Sequence, residues 1–201
     1  LIAPRGEFDP GALSIKKIQK QFFLFFYRIF FYLNYSNFFF HLTSESELNN
    51  FKNIFHISKS KIFVASNIPS INHKFLPREQ KNTVFSVVFL SRITNKKNLK
   101  YALEVIRYFP KRAIFDIYGP IEDEKYWNEC KLLIKKMPDH IRVNYKGSIE
   151  STNVTFKISE YDVFFLPTKG ENYGHVIVEA LLSGTPVLIS SLTPWNNLSE
   201  Y

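Results

Sequence analysis

The sequence predicts an α/β protein built on a Rossmann-like parallel sheet, and three observations carry that prediction. From residue 83 onward, apolar runs of strand length alternate five times with segments of helical periodicity. Among these runs Val84 to Leu90 is continuous rather than alternating, as in a strand covered on both faces. Gly or Pro closes most of them. Crossovers between parallel strands are right-handed, and ligands of such sheets bind where loops leave the carboxyl ends of the strands.

The first 70 residues have a different texture. Ile15 to Tyr32 reads as a helix with lysines early and aromatics later, and Phe38 to His41 as a strand. Ser44 and Glu47 are spaced as a capping box for a helix running to about Phe55. Lys61 to Ala65 (KIFVA) is a further short strand. These elements suit a partial second Rossmann-like domain. Asn67 to Asn82, with Pro69, Pro77 and several Asn and charges, reads as a linker. The expected division is therefore 1–70, a linker at 71–82, and 83–201.

In the second part, Val84 to Leu90 (VFSVVFL) is the first strand. Leu99 to Phe109 repeats apolar residues at helical spacing and stops at Pro110. Ala113 to Tyr118 is a strand ended by Gly119-Pro120. Glu122 to Met137 is a helix with acids early and lysines late, complementing its dipole, and it stops at Pro138. Ile141 to Lys146 runs into Gly147 as a strand, followed by a short helix at Val154 to Ser159. Val163 to Leu166 is a strand ended by Pro167. His175 to Ser183 is a helix with Gly184 as its stop, and Val187 to Ser190 is the fifth strand.

Composition narrows the function. The chain has 201 residues, 45% hydrophobic and 22% charged, which excludes disorder, collagen and a disulfide framework. One Cys forms no intrachain disulfide, so a reducing, cytoplasmic setting is expected, with Cys130 an ordinary thiol. Nine of the 21 Phe fall within Gln21 to His41, yet Arg28, Asn34, Ser36 and Asn37 break that stretch well short of the roughly 20 residues a membrane span needs. The opening residues do not read as a secretory signal, with no short apolar core before a small-residue cleavage site. The net charge of +8 calls for an anionic partner. Its clusters, Lys16, Lys17, Lys20 and Arg28, and Arg92, Lys96, Lys97 and Lys100, are accompanied by no nucleic-acid-binding motif.

The chemistry concentrates in PTKGENYGHVIVEALLSGTPVLISSLTP, Pro167 to Pro194. Glu171 lies in a loop leaving a strand, and Glu179, after seven intervening residues, lies one turn into the next helix. Between them, the amides of Asn172 to His175 open a helix N-terminus suited to an anion. One segment thus offers amides to a phosphate and two acids to hydroxyls, the needs of a nucleotide sugar. Arg92 follows the first strand and Lys97 stands five residues later. Fixed cations there favour a diphosphate as its bond to a sugar breaks, with no metal required. No Asp-x-Asp pair occurs, and Glu122, Asp123 and Glu124 read as the first turn of a helix.

The order SRITNKKNL, DIYGP, YKGSI, YDVFFLPTKGENYGHVIVEALLSGTPVLIS resembles the C-terminal, donor-binding domain of GT-B retaining glycosyltransferases, specifically glycosyltransferase family four. APRGEF and HLTSESE are similar, in weaker form, to the end of the family's N-terminal, acceptor-binding domain. The resemblance implies that Arg92 and Lys97 contact the donor diphosphate and that Glu171 faces the transferred sugar. It implies further that Asn172, Tyr173, Gly174 and His175 line the sugar-phosphate turn, that Glu179 holds the ribose hydroxyls, and that the loops at Gly119 and Gly147 border the base. For His175 a plain role at the helix start stands beside that reading.

The resemblance also implies a UDP-sugar donor, a glycan or lipid-linked acceptor, no cofactor, and a place in cell-surface polysaccharide assembly. It sets the chain as truncated at both ends, with 1–70 a remnant of the acceptor domain and Ser191 where relatives often carry Asp. A non-catalytic fragment with residual nucleotide binding is the alternative. A nicotinamide-dependent dehydrogenase is disfavoured, because SRITNKKN stands where its glycine fingerprint belongs. The Phe-rich helix has two readings: a peripheral contact with the inner face of a membrane, or core residues whose covering layer is missing.

Overall fold

The computed structural model describes residues 1–8, 10–14, 17–34, 37–65 and 84–195. Its contacts divide the chain into two compact units, Leu1–Ile68 with Gly170–Tyr173, and Pro69–Lys169 with Gly174–Tyr201. The linker expected at 71–82 lies outside the described residues, as does Lys16.

The first unit holds α1 (Pro10–Ser14), α2 (Lys17–Leu33), β1 (Phe40–Leu42), α3 (Glu45–Ile54) and β2 (Ile62–Val64). β1 and β2 are parallel, with Phe40 opposite Ile62, and Ile2 bridges to Phe40 on the other side. α3 is therefore a β–α–β crossover. Phe8, Phe31, Phe40, Leu42, Phe51 and Phe55 form the core, with rings mostly edge-on or tilted, as their quadrupoles prefer. α1 was not anticipated from the sequence. Pro10 supplies its first position, where a missing N–H costs nothing.

α2 is apolar on two sides. Leu24, Tyr27 and Phe31 face inward at helical spacing, while Phe22, Phe25, Phe26 and Phe30 are exposed on the other side. Arg28 leaves this aromatic surface to donate from Nε to the Ile54 carbonyl at 3.0 Å. Beside it, an open hollow of about 760 Å³ is lined mainly by Ile29, Phe31, Leu33, Phe55 and Ile57. No described helix is long and apolar enough to cross a membrane.

The capping box at the start of α3 forms by half. The Ser44 hydroxyl accepts from the Glu47 N–H at 3.1 Å, as its spacing predicts. The Glu47 side chain, however, is buried and takes the N–H groups of Thr43 and Gly6 at 2.7 and 2.6 Å. Arg5 and Gly6, both with positive φ, turn the chain so that the Gly6 N–H meets it.

The second unit alternates β3 (Phe85–Leu90), α4 (Leu99–Ile106), β4 (Ala113–Tyr118), α5 (Glu124–Ile134), β5 (Ile141–Tyr145), α6 (Val154–Ser159), β6 (Val163–Leu166), α7 (His175–Leu182) and β7 (Val187–Ile189). The strands pair in parallel in the order β5-β4-β3-β6-β7. This is the five-stranded, Rossmann-like sheet the alternation predicts. Val88, Phe89, Phe115, Ile117, Phe164 and Leu166 are fully buried in it, because helices lie on both faces. At the entry edge, Ser86 gives its N–H and hydroxyl to one Asp162 oxygen at 2.8 and 2.9 Å, and the Asp162 N–H returns a bond to the Ser86 hydroxyl at 3.2 Å. β3 and β6 are thereby locked in register where the strand order reverses.

A polar group sits inside this unit. The buried Asp116 accepts from Tyr161 and Asn144 at 2.8 and 2.7 Å, and the Tyr161 and Tyr118 hydroxyls lie 3.1 Å apart. Burial first, then the bonds to Tyr118 and Asp116, push the Tyr161 hydroxyl well above the ordinary tyrosine range. Tyr161 therefore serves as a fixed neutral donor to Asp116.

Candidate active site

β3 and β6 are adjacent, while the chain leaves β3 toward one side of the sheet and β6 toward the other. The crevice at such a reversal is where open α/β sheets bind ligands. The two loops concerned run from Ser91 to Asn98 and from Pro167 to Gly174.

Backbone and amide groups fasten the first half of one loop to the other. The Lys96 carbonyl accepts from the Lys169 N–H at 2.8 Å and from the Thr168 hydroxyl at 3.2 Å. Asn98 donates its side-chain amide to the Pro167 carbonyl at 3.0 Å, and Lys169 Nζ donates to Asn95 Oδ1. Asn98 itself has φ 60°, the left-handed conformation that Asn tolerates better than most residues, and α4 starts directly after it. Sequence reasoning missed Asn98. Its signal is an Asn immediately before the first apolar residue of a helical repeat.

Arg92 and Lys97, the expected diphosphate ligands, are placed differently. Lys97 ends a short 3-10 turn, Asn95–Lys97, and is buried, its N–H bonded to the Thr94 carbonyl at 3.1 Å. Arg92 is exposed and forms an ion pair with Glu122 at 3.2 Å. This corrects the reading of Glu122 as helical. Asp123 is the N-cap of α5, its side chain accepting from the Tyr126 N–H at 3.0 Å, so Glu122 stays in the loop and reaches Arg92.

The loops beyond β4 and β5 join the same edge. Ser91 donates its N–H to the Tyr118 carbonyl at 3.1 Å, and Ile93 to the Pro120 carbonyl at 2.8 Å. Gly119 donates to the Gly147 carbonyl at 2.9 Å, and the Tyr145 hydroxyl donates to the Gly119 carbonyl at 2.9 Å. Gly119 and Gly147 thus stand side by side, stitched to the start of the Arg92 loop through Ser91. Tyr145 was not singled out from the sequence.

Gly174 takes the left-handed conformation (φ 77°, ψ 59°) and begins α7, its carbonyl accepting from Ile177 at 2.8 Å. His175 is exposed at the first position of the helix, and Glu179 is half-buried one turn on. Glu171, Asn172 and Tyr173 are half-buried and group by their contacts with the first unit. There the Asn172 amide donates to Thr43 Oγ1 at 2.7 Å and lies 3.4 Å from Glu47 Oε2. Among the described residues, no group of three His, Cys, Asp or Glu side chains is arranged to hold a metal ion.

A parallel sheet whose strand order reverses between β3 and β6, with helices between its strands, defines a Rossmann-like α/β unit. The chain belongs to the glycosyl transferases group 1 family, which it matches over residues 70–196. It is 26% identical over 145 residues to an uncharacterized 41.2 kDa protein in the cps region of Klebsiella pneumoniae, covering 68% of this chain and 38% of that protein. In fold it is similar to Anabaena Alr3699/HepE in complex with UDP and glucose, with a TM-score of 0.65, 17% identity, and coverage of 81% of this chain and 46% of the other. It is likewise similar to WaaG, a glycosyltransferase involved in lipopolysaccharide biosynthesis, with a TM-score of 0.62, 14% identity, and coverage of 79% and 46%. The chain spans less than half the length of each of these relatives.

Proposed function

We propose that the chain acts in sugar transfer from a nucleotide-diphosphate sugar, with a UDP-sugar as donor and a glycan or lipid-linked molecule as acceptor. Membership of the group 1 glycosyl transferases supports the transferase reading. UDP in the complexes of structural neighbours supports the choice of donor. The observation that carries the proposal is the pairing of loops at the reversal of strand order, where Lys96, Asn98, Thr168 and Lys169 bind the Arg92 loop to the start of the Glu171 loop.

In this reading the reaction proceeds with retention, as in glycosyltransferase family four, and without a metal. Arg92 exchanges Glu122 for the donor diphosphate, and together with Lys97 it offsets the charge that grows on the departing phosphate oxygen. The amides at the start of α7 take the same phosphate. Glu171 binds the sugar hydroxyls and stabilises positive charge at the anomeric carbon, with Asn172, Tyr173, Gly174 and His175 lining the turn. Glu179 holds the ribose, and the Gly119 and Gly147 loops border the base.

The Klebsiella relative from a cps region supports a role in polysaccharide assembly. The exposed Phe22, Phe25, Phe26 and Phe30 of α2 support a peripheral membrane contact as part of it. Calorimetry with UDP, UDP-glucose and a panel of other nucleotide sugars, in the presence of chelator, tests the proposal. Micromolar to millimolar binding of at least one nucleotide sugar is the expected result. Binding by none of them would overturn it.

A further inference from the structure

Asn172 follows Glu171 directly, and its side chain ends in a buried polar group of the first unit. Thr43 Oγ1 accepts a hydrogen bond from the Asn172 amide at 2.7 Å, and the Thr43 hydroxyl donates to Glu47 Oε2, also at 2.7 Å. Glu47 is almost wholly buried, and its two oxygens are fixed by the backbone N–H groups of Gly6 and Thr43 at 2.6 and 2.7 Å. A chain of bonds thus runs from backbone N–H groups through Glu47 and Thr43 to Asn172.

The direction of that chain is set by its chemistry. Both Glu47 oxygens face donors, so only an acceptor fits there. The Thr43 hydroxyl proton is committed to Glu47, which leaves an oxygen lone pair pointing outward. The group that meets it must be a donor, and Asn172 supplies one. An Asp at 172 would set acceptor against acceptor at both Thr43 Oγ1 and Glu47 Oε2.

We infer that Thr43 and Glu47 are positioning residues for the Glu171 loop, holding Asn172 so that Glu171 and Tyr173 present one fixed geometry to the transferred sugar. The inference rests on the reading of Glu171 as the residue facing that sugar. It makes the sugar-handling loop, Gly170–Tyr173, a structural part of the first unit, whereas Lys169 and Gly174 on either side belong to the second. Neither Thr43 nor Glu47 is called on to touch the donor.

Thr43 is the discriminating position. Glu47→Gln would turn an amide N–H against a backbone N–H and unsettle the first unit. Thr43→Val keeps the side-chain volume and removes only the oxygen, and Thr43→Ser restores it. In the full chain labelled with nitrogen-15, Thr43→Val should speed solvent exchange of the Asn172 side-chain amide about tenfold, with Thr43→Ser close to wild type. By calorimetry, Thr43→Val should weaken UDP-glucose about three- to tenfold, the span of one neutral hydrogen bond, with Thr43→Ser close to wild type and UDP alone bound as before by both. Unchanged Asn172 exchange in Thr43→Val, or equal weakening of UDP and UDP-glucose, would overturn the inference. If the wild-type chain binds neither ligand, the sugar-transfer reading falls, and the exchange comparison still decides whether Thr43 anchors the loop.

Discussion

A Cβ added to Gly119 would lie 1.9 Å from the Ser91 carbonyl oxygen and 2.6 Å from its carbon, so the exits of β4 and β3 touch backbone to backbone. The contact places the loop bearing Arg92 directly against the loops proposed to border the base. Gly119 also has φ 132°, which side chains rarely adopt. Gly119→Ala should therefore cost about 3 kcal/mol, at the upper end of ordinary substitutions. Gly147→Ala, with φ 78° but nothing within 4 Å of the new methyl, should cost about 1 kcal/mol for the backbone conformation alone. Urea unfolding of the two variants compares them, and equal losses would remove the steric argument.

The strand and helix order was legible because its punctuation is local. β4 and β6 run as their sequences predict, stopped by Gly119-Pro120 and Pro167, and α6 likewise matches. Where side chains compete for the same amides, the sequence pattern misleads. At α5 the acids of Glu122 to Glu124 read as one turn, yet Asp123 caps the helix and sends Glu122 to Arg92, a partner 30 residues away. At α3 the spacing of Ser44 and Glu47 is that of a capping box, but burial gave Glu47 two other backbone donors. The residues that fasten the site loops, Asn98, Lys96 and Thr168, act through carbonyls across the strand reversal, and no sequence period records such contacts.

The Arg92–Glu122 pair is mostly open to water, with side chains 61% and 42% exposed, so its net strength is small and falls with salt. A diphosphate would compete with Glu122 for the same guanidinium. Glu122→Gln should thus raise UDP affinity about two- to threefold at low ionic strength, an advantage that fades near 0.5 M salt, roughly the regime of complete screening. Calorimetric titrations at both salt concentrations measure it. An unchanged affinity at low salt would detach Arg92 from the phosphate.

Cys130 is buried, and burial raises its thiol to about 11 despite the nearby Tyr126 hydroxyl and Lys100, which act the other way. In the unfolded chain the thiol ionises near its ordinary value of 9.0. Between these values the unfolded state has lost a proton that the folded state keeps, so stability falls as pH rises through that window. The contribution is full below pH 9 and shrinks toward pH 11 by about 2 kcal/mol. Cys130→Ala should flatten the decline between pH 9 and 10, before tyrosine ionisation adds its own slope. In the native wild-type protein at pH 8 the thiol should resist a thiol reagent and react fully only with denaturant present.

The two acids separated by seven residues are proposed to hold different parts of the donor, and that difference is measurable. Glu179 sits one turn into α7, a helix of the second unit in which Ile177 and Ala180 are buried. A ribose contact there is shared by UDP and UDP-glucose, and Glu179→Gln should weaken both about equally, by roughly three- to tenfold. Glu171 precedes the anchored Asn172 and would meet only the sugar. Glu171→Gln should leave UDP affinity within about twofold of wild type while weakening UDP-glucose and lowering turnover by two or more orders of magnitude, the loss expected when charge stabilisation specific to the transition state is removed. Transfer by Glu171→Gln at near the wild-type rate would exclude it from the reaction, and loss of UDP binding would move it from the sugar to the nucleotide.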